Sequence, residues 1–472
     1  MAQRAVSAEH AVEMIVCPVC DTPTEFGNRI CRTCFQSLAG EEPAPERASV
    51  VIATRAALTR RRRRRRALLS VALIALVLGA GLWVTRGLWT PPPPPIPAGI
   101  GSRVTSAAGV AWPLPSGGID GARTTTAPAT LTGAVGWQWD GAQTVAVPVV
   151  ADGSTLFVGL TDGRLVALSS DDGTERWSLR VPGVLDAAPS VAGDRLFVGL
   201  RSGEVVALDA RSGTELWRSD VDHSVSATPI VSEGRVIVAA NGLMLALDAE
   251  DGRELWRDSI DDSLMTVTPA LGGSRLAVAT FRRVLLFDVR NGAQRSWFRF
   301  APQQAPSLSV AVVQGTVVAS SSGLVVAIDS GMTRPWWDGI RPAWQILHVM
   351  GAAPAPPWNP ELWSARAPRD AYPVAVGDGR VIVADARGTV RAYALRSGTL
   401  LWELRLPPVT APPVLVAGGV LLAGRNSITV IATADGTELT RHTFDGLTPT
   451  QVVVTEGGVF VVDDGGRIAA LR

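Results

Sequence analysis

From residue 131 onward, short apolar runs alternate with polar turns at a spacing close to 40 residues. Two successive copies read LFVGLRSGEVVALDARSGTELW (residues 196–217) and RVIVAANGLMLALDAEDGRELW (residues 235–256). Each copy holds an apolar run, a glycine turn, a second apolar run, a polar turn with glycine, and a tryptophan. This alternation predicts short β-strands joined by tight turns, so that neighbouring strands are antiparallel.

A proline before an apolar run marks the start of each copy. The eight markers are Pro148, Pro189, Pro229, Pro269, Pro306, Pro373, Pro413 and Pro449. In the first six copies a tryptophan marks the predicted outer strand: Trp177, Trp217, Trp256, Trp297, Trp337 and Trp402. Thr440 takes that place in the seventh copy, and the eighth stops at Arg472 before any outer strand. Upstream of the first marker, the segment AVGWQWD (residues 134–140) has the tryptophan spacing of an outer strand but belongs to no copy, so it is a spare outer strand.

An all-β, eight-bladed β-propeller of four-stranded antiparallel blades over residues 131–472 accounts for this count. A closed ring protects sheet edges, and the spare strand would complete the last blade. An open solenoid is the alternative, but it does not explain why one end lacks the strand that the other has in excess.

The repeats resemble those of the PQQ-like β-propellers, which run as strand, DG-type turn, ALD and G-x-x-x-W. The resemblance implies that Trp177, Trp217 and Trp256 dock between adjacent blades as structural residues. It also implies two possible functions, because the family contains quinone-dependent dehydrogenases and a non-catalytic, BamB-like branch. Fold alone does not choose between them.

The dehydrogenase branch, by that resemblance, carries adjacent cysteines, a calcium site, an aspartate base and a tryptophan under the cofactor. The predicted propeller contains no cysteine. Its best carboxylate pairs, Asp261-Asp262 and Asp463-Asp464, lack the surrounding ligand spacing of a calcium site. The sequence therefore predicts no catalytic residues and no bound PQQ. A quinoprotein oxidoreductase remains the alternative.

One interval between markers, from Pro306 to Pro373, exceeds the period by about 27 residues. The excess, about 338–370, contains Trp344, Trp358 and Trp363. Clustered tryptophans are typical of protein interfaces, so these three residues are candidates for binding a partner. The alternative is a loop that folds back and caps its own propeller.

The charge distribution indicates a membrane protein. The net charge is only +1, yet residues 1–66 hold 12 arginines against 7 acids. Arg60 to Arg66 directly precede the uncharged stretch ALLSVALIALVLGAGLWVT (residues 67–85). A helix of this length spans a bilayer, and the positive-inside rule places the N-terminus in the cytoplasm. We therefore predict a transmembrane helix at 67–89. A signal peptide fits less well, because its basic region would start near Met1, whereas the arginine run before this stretch starts after 59 residues.

Linkers flank this predicted helix. Residues 41–66 form a linker that ends in the polyarginine run, and residues 90–130 form a proline-rich linker with five consecutive prolines at 91–95. The arginines need no partner beyond their role in orientation, although they could also attract anionic lipids. No aromatic residues interleave them, so nucleic-acid binding is not expected.

All four cysteines lie in a segment at 1–40, where Cys17, Cys20, Cys31 and Cys34 form two CxxC pairs. Four thiolates suit a structural, tetrahedral Zn²⁺ site. Two disulfides or a rubredoxin-like iron site are the alternatives. The segment resembles the short zinc ribbons of bacterial membrane proteins, which usually have Gly after the second cysteine of each pair. Asp21 and Phe35 stand there instead.

These features predict a single-pass protein of the bacterial cytoplasmic membrane, with its propeller on the extracytoplasmic side. Its expected role is a non-enzymatic scaffold that binds one or more proteins in the cell envelope. A transmembrane sensor is a further alternative, although a single helix and a flexible linker offer no rigid coupling.

Overall fold

The computed structural model describes residues 14–25, 27–43, 50, 68–79, 112, 114–126, 134–260, 268–280, 283–299, 307–321, 323–331, 340–354, 361–368 and 370–471. The polyarginine run, Trp337 and Trp358 lie outside these residues. Two compact units are present, an N-terminal one and a much larger one that contains the propeller.

The N-terminal unit contains a short hairpin in which β1 (Met14–Val16) pairs antiparallel with β2 (Pro23–Glu25). Residues 68–79, inside the predicted transmembrane segment, are helical and exposed. The rest of that segment, Ala67 and residues 80–89, lies outside the described residues. Within the part of the chain that the structure describes, no helix is both long enough and apolar enough to cross a membrane.

Eight four-stranded antiparallel sheets make up the propeller, as the repeats predict. Blade 1 consists of β4 (Val145–Ala151), β5 (Thr155–Leu160), β6 (Arg164–Ser169) and β7 (Glu175–Arg180), and blade 2 of β8 (Ser190–Ala192), β9 (Arg195–Gly199), β10 (Glu204–Asp209) and β11 (Glu215–Asp220). Blade 3 consists of β12 (Ile230–Ser232), β13 (Arg235–Ala240), β14 (Leu243–Asp248) and β15 (Glu254–Ser259), and blade 4 of β16 (Ala270–Gly272), β17 (Arg275–Ala279), β18 (Arg283–Asp288) and β19 (Gln294–Arg299).

Blades 5 to 7 continue the order. Blade 5 consists of β20 (Ser307–Val313), β21 (Thr316–Ser321), β22 (Leu324–Asp329) and β23 (Glu361–Arg366). Blade 6 consists of β24 (Ala375–Gly377), β25 (Arg380–Ala384), β26 (Thr389–Ala394) and β27 (Leu400–Arg405), and blade 7 of β28 (Val414–Val416), β29 (Gly419–Gly424), β30 (Ser427–Ala432) and β31 (Glu438–Thr443). A helix, Arg341–Val349, lies between β22 and β23.

Blade 8 closes the ring with strands from both ends of the repeat region. It consists of β32 (Pro449–Thr455), β33 (Gly458–Asp463), β34 (Arg467–Leu471) and, as its outer strand, β3 (Val135–Asp140). β3 pairs antiparallel with β34, which confirms the predicted closure. On the inner side, the Gln451 side chain bonds both the N–H and the C=O of Val149 in blade 1, each at 2.8 Å.

Among the described residues, tryptophans of six outer strands each dock on the next blade. The indole N–H of Trp137, Trp177, Trp217, Trp256, Trp363 and Trp402 donates to the carbonyl oxygens of Ser170, Ala210, Ala249, Val289, Leu395 and Thr433, respectively, at 2.7 to 3.2 Å. Each indole ring also covers the glycine of the next blade's turn. A Cβ on Gly173, Gly213, Gly252, Gly292, Gly398 or Gly436 would lie 2.5 to 3.1 Å from that ring. The docking role implied by the resemblance is therefore observed.

The insertion begins earlier than the spacing predicted. It lies between β22 and β23, so that Trp363 stands in the outer strand of blade 5 and not in the insertion. Its ring is only 8% exposed and stacks on Tyr393 of blade 6. Trp363 is therefore a blade residue, which corrects its assignment to the partner-binding loop.

Residues 112 and 114–126, assigned above to the proline-rich linker, instead pack against the inner strands. We call them the axial segment. The carbonyl oxygens of Ile119, Asp120, Ala122 and Arg123 accept hydrogen bonds from innermost-strand N–H groups of blades 4, 5, 6 and 7, in that order, at 2.7 to 2.9 Å. Strand edges that face the ring axis thus gain partners from a segment that has no strand pattern of its own.

The contact between tryptophan and glycine can be tested with two matched substitutions. Gly252 and Gly418 have φ angles of 76° and 78°, so an alanine costs about 1 kcal/mol of backbone strain at either site. Only at Gly252 does the new Cβ meet an indole ring, that of Trp217 at 2.6 Å; nothing lies within 4 Å of the Cβ at Gly418. We expect Gly252→Ala to lose about 1 to 3 kcal/mol more than Gly418→Ala in denaturant unfolding. Equal losses would contradict the docking role.

Candidate metal site and axial cavity

The four cysteines come together at the turns of two short hairpins. Cys17 follows β1, and the isolated bridge between Ile30 and Ser37 brackets the second pair. The Sγ atoms of all four residues lie within 4.8 Å of one another, and the pairs Cys17–Cys34 and Cys20–Cys31 are each 3.5 Å apart. Tetrahedral coordination with metal–sulfur bonds of ~2.3 Å places sulfurs about 3.8 Å apart, so this arrangement can accept one metal ion.

Backbone and hydroxyl groups around the cluster favour thiolates. The N–H groups of Cys34 and Thr33 lower the pKa of Cys31 to about 6. The Thr22 hydroxyl, 3.1 Å from the sulfur of Cys20, lowers the pKa of that thiol. The pKa of Cys34 is raised to about 12: the Gln36 N–H favours its thiolate, but the adjacent sulfurs oppose a further negative charge. A bound cation would remove that opposition, so metal binding should release protons.

Each CxxC turn ends in a left-handed residue. Asp21 has a φ of 49° and Phe35 a φ of 60°, and the N–H of each bonds the carbonyl of the first cysteine of its pair at 3.0 and 2.8 Å. These are the positions where the resembling zinc ribbons have glycine, which adopts this conformation without strain. Aspartate tolerates it, whereas a bulky aromatic residue does so at a cost.

The propeller encloses a second candidate site, a cavity of about 760 Å³ at the ring axis. Residues of blades 1, 4, 5, 6, 7 and 8 line it, together with part of the axial segment. Its volume falls in the range of small-molecule sites. We call it the axial cavity. The predicted carboxylate pair Asp463-Asp464 lies in its wall, whereas Asp261 and Asp262 lie outside the described residues.

The acidic residues of the axial cavity do not form a calcium site. Asp463 is buried and accepts hydrogen bonds from the N–H and the guanidinium of Arg467, both at 2.8 Å. Asp464 is exposed. Across the described ranges, the four cysteines form the only convergence of three or more Cys, His, Asp or Glu side chains. These residues do not fit the Ca²⁺ and quinone pair of the dehydrogenases, so no redox step follows from them.

The tryptophans predicted to bind a partner lie in different parts of the chain's secondary structure. Trp344 lies in the helix Arg341–Val349, Trp363 lies in β23, and Trp358 is outside the described residues. Sequence reasoning missed Arg123 and Ser116, which line the axial cavity. Both lie in a stretch rich in Gly, Ser and Thr, where no periodicity marks order, so no sequence signal could have identified them.

Eight four-stranded blades, closed by an N-terminal strand and joined by repeated tryptophans, define a PQQ-type β-propeller. A profile of the PQQ repeat family, described as outer membrane protein assembly factor BamB, matches residues 122–337 and 386–472. The match covers more than half of the chain, which therefore belongs to this family. Among functionally curated proteins, none matches the chain in sequence.

Solved structures of a BamB protein, of a quinohemoprotein dehydrogenase and of a designed protein share the fold. BamB from Moraxella catarrhalis is 17% identical with a TM-score of 0.56, and the match covers 72% of this chain and 99% of that one. Quinohemoprotein alcohol dehydrogenase from Comamonas testosteroni is 13% identical with a TM-score of 0.57, covering 77% and 80%. The computationally designed Ika8 protein is 14% identical with a TM-score of 0.56, covering 70% and 96%. At these identities the similarity establishes the fold and leaves the activity open.

The left-handed position of Phe35 generates a prediction about metal affinity. Its side chain is 80% exposed, so Phe35→Gly removes strain without loss of packing. We expect the full-length protein to bind metal up to about fivefold more tightly, since roughly 1 kcal/mol of strain is relieved. Competition with a chromophoric chelator would measure it. Phe35→Ala keeps a Cβ in the same conformation and should show no gain. If both variants gained equally, backbone strain would not be the cause.

Proposed function

We propose that this protein is a non-enzymatic, membrane-anchored β-propeller that binds a protein partner on the extracytoplasmic side of the bacterial cytoplasmic membrane. Family membership supports a scaffold role, because the description of the family names an outer membrane protein assembly factor, BamB. An outer-membrane role does not carry over, since the predicted anchor is a helix. The observation that carries the proposal is an exposed apolar face on the helix in the insertion, Arg341–Val349.

The insertion helix, Arg341–Val349, presents apolar side chains to solvent. Ile346 and Val349 are 61% and 86% exposed, and Met350, directly after the helix, is 73% exposed. Spacing of three and four residues places these side chains on one face. Blade strands bury nearly all of their apolar residues, so such a cluster on a loop insertion is typical of a protein-binding surface. The proposal thus moves the binding residues from the predicted tryptophans to Ile346, Val349 and Met350, at the C-terminal end of the helix that contains Trp344.

The membrane anchor is proposed from sequence and local conformation. Residues 67–85 carry no charge, and the described part, residues 68–79, is helical. Large apolar side chains are exposed on all sides of this helix: Leu68, Leu69, Val71, Leu73, Ile74, Leu76, Val77 and Leu78 are 59% to 70% exposed. A helix that is apolar all round requires an apolar surrounding, which a bilayer provides. The seven arginines before it favour a cytoplasmic N-terminus.

We further propose that the cysteine cluster holds a structural zinc ion in the cytoplasm. Four thiolates leave no open position for a substrate, which suits a structural site. A reducing compartment opposes disulfides between these residues. Cys17, Cys20, Cys31 and Cys34 would be the ligands.

The zinc assignment is tested by elemental analysis of the purified full-length protein. We expect about one zinc per chain, and none after the double substitution of Cys17 and Cys20 by Ser, because two ligands cannot hold the ion tightly. The double substitution Ser7→Ala and Ser37→Ala is the control and should keep its zinc. Stoichiometric iron in place of zinc, or metal retained by the cysteine variant, would contradict the assignment.

The partner-binding face is tested by site-specific photo-cross-linking in intact cells. A photo-reactive amino acid at Val349 should yield a discrete adduct with a second protein, since this side chain is the most exposed of the face. The same amino acid at Val184, a 54% exposed residue on the propeller, is the matched control and should not. Adduct formation at 349 should fall when Ile346→Asp places a charge on the face. No adduct at 349, or the same adducts at both positions, would reject the insertion helix as the contact.

A further inference from the structure

The axial cavity contains a buried cation without a counter-ion. The Arg123 side chain lines the cavity, and the residue is 7% exposed. Its Nε lies 3.3 Å from the carbonyl oxygen of Pro413 and its Nη1 lies 3.3 Å from that of Pro115, both long for hydrogen bonds to a charged donor. Burial lowers its pKa to about 10, and no described carboxylate contributes to raise it. The guanidinium is still charged at neutral pH.

The buried carboxylate of the cavity wall is already paired. Asp463 lies in the same cavity wall, but Arg467 holds it with a 2.8 Å contact to its Oδ2. Leaving a buried guanidinium uncompensated is costly, so buried arginines are normally paired with an anion. Within the described residues, the protein itself supplies none to Arg123.

A second polar group of the same cavity also lacks a partner. The hydroxyl oxygen of Ser116 is buried, and it has no hydrogen-bond partner in the described chain. Ser116 and Arg123 are adjacent in space because the Arg123 N–H donates to the Ser116 carbonyl at 2.8 Å. One cation and one hydroxyl donor are thus held together at the cavity wall.

The backbone that presents these donors is held in an unusual conformation. Arg123 has a φ of 54°, which side chains other than glycine seldom adopt. On either side of it, the Ala122 carbonyl accepts from Val376 and the Thr125 N–H donates to Leu415, at 2.8 and 2.9 Å. These bonds to blades 6 and 7 fix the position of Arg123, as expected of a preorganised binding residue.

We propose that the axial cavity binds a small organic carboxylate, whose oxygens accept hydrogen bonds from the Arg123 guanidinium and the Ser116 hydroxyl. An arginine fork matches the geometry of a carboxylate. Valines and prolines in the wall, such as Val145, Val310 and Pro373, would contact an apolar body on the ligand. Asp464, exposed in the same wall, disfavours ligands with several negative charges. A monocarboxylate with an apolar body fits these features, and the site does not depend on the insertion helix.

Calorimetric titration of the purified full-length protein tests this proposal, with benzoate as the probe. Benzamide has the same shape without the charge, and inorganic phosphate is a more highly charged oxyanion. We expect saturable binding of benzoate at one site per chain, with benzamide and phosphate each at least about tenfold weaker. Equal affinity for benzoate and benzamide, no benzoate binding, or tighter binding of phosphate would overturn the proposal.

Two substitutions locate the site. Arg123→Gln should reduce benzoate affinity by at least about tenfold, and Ser116→Ala by a few-fold, while benzamide binding changes little in either variant. Ser154→Ala, which alters an exposed turn away from the cavity wall, is the control and should bind as the unmodified protein does. Benzoate bound with unchanged affinity by Arg123→Gln would overturn the assignment. If that variant failed to fold, Ser116→Ala and the comparison of benzoate with benzamide would still decide the question.

Discussion

The propeller depends on the contact between a tryptophan of one blade and the turn glycine of the next. A single blade is a small twisted sheet that cannot bury both of its faces, so its stability comes from its neighbours. The indole N–H satisfies a carbonyl at the end of the neighbouring strand, and the indole ring covers the glycine where no Cβ could fit. Each junction with this contact therefore combines apolar burial with a satisfied hydrogen bond at a fixed position.

Ring closure uses the same contact a further time. Trp137 belongs to β3, the strand that completes blade 8, and its indole donates to Ser170 in blade 1. One strand thus pairs with the C-terminal end of the chain and docks on the first blade. Two junctions are different. The exposed Thr440 takes the tryptophan position at the junction between blades 7 and 8, and Ser296 takes it in the outer strand of blade 4. Between blades 7 and 8, a shared hydrophobic cluster that includes Phe444, Leu447 and Val452 supplies the apolar burial instead of an indole.

Features with a local and repeated cause could be predicted from the sequence. The blade number and the closing strand follow from strand and turn patterns of period 40, the docking role of the tryptophans follows from the resemblance to the PQQ-like propellers, and the cysteine cluster follows from its spacing. The insertion was misplaced because Trp337 and Trp363 both stand at a plausible distance from β22, and only pairing of Trp363 with Ala327 selects the outer strand. The axial segment was missed because its order comes from bonds to residues far along the chain, such as that between Ala122 and Val376. Composition reports local preference and contains no trace of such bonds.

The same reasoning separates the two roles of the axial segment. Covering the inner edges of blades 4 to 7 requires only backbone carbonyls, and any small residue could supply them. That role does not require a buried guanidinium: replacement of buried ionic groups by apolar residues is often neutral or stabilising. Arg123 also occupies a left-handed conformation that glycine would adopt without strain. Two separate costs, one of desolvation and one of backbone strain, therefore fall on a residue whose structural task needs neither. A ligand that compensates the charge accounts for the first cost, and orientation of the side chain into the cavity accounts for the second.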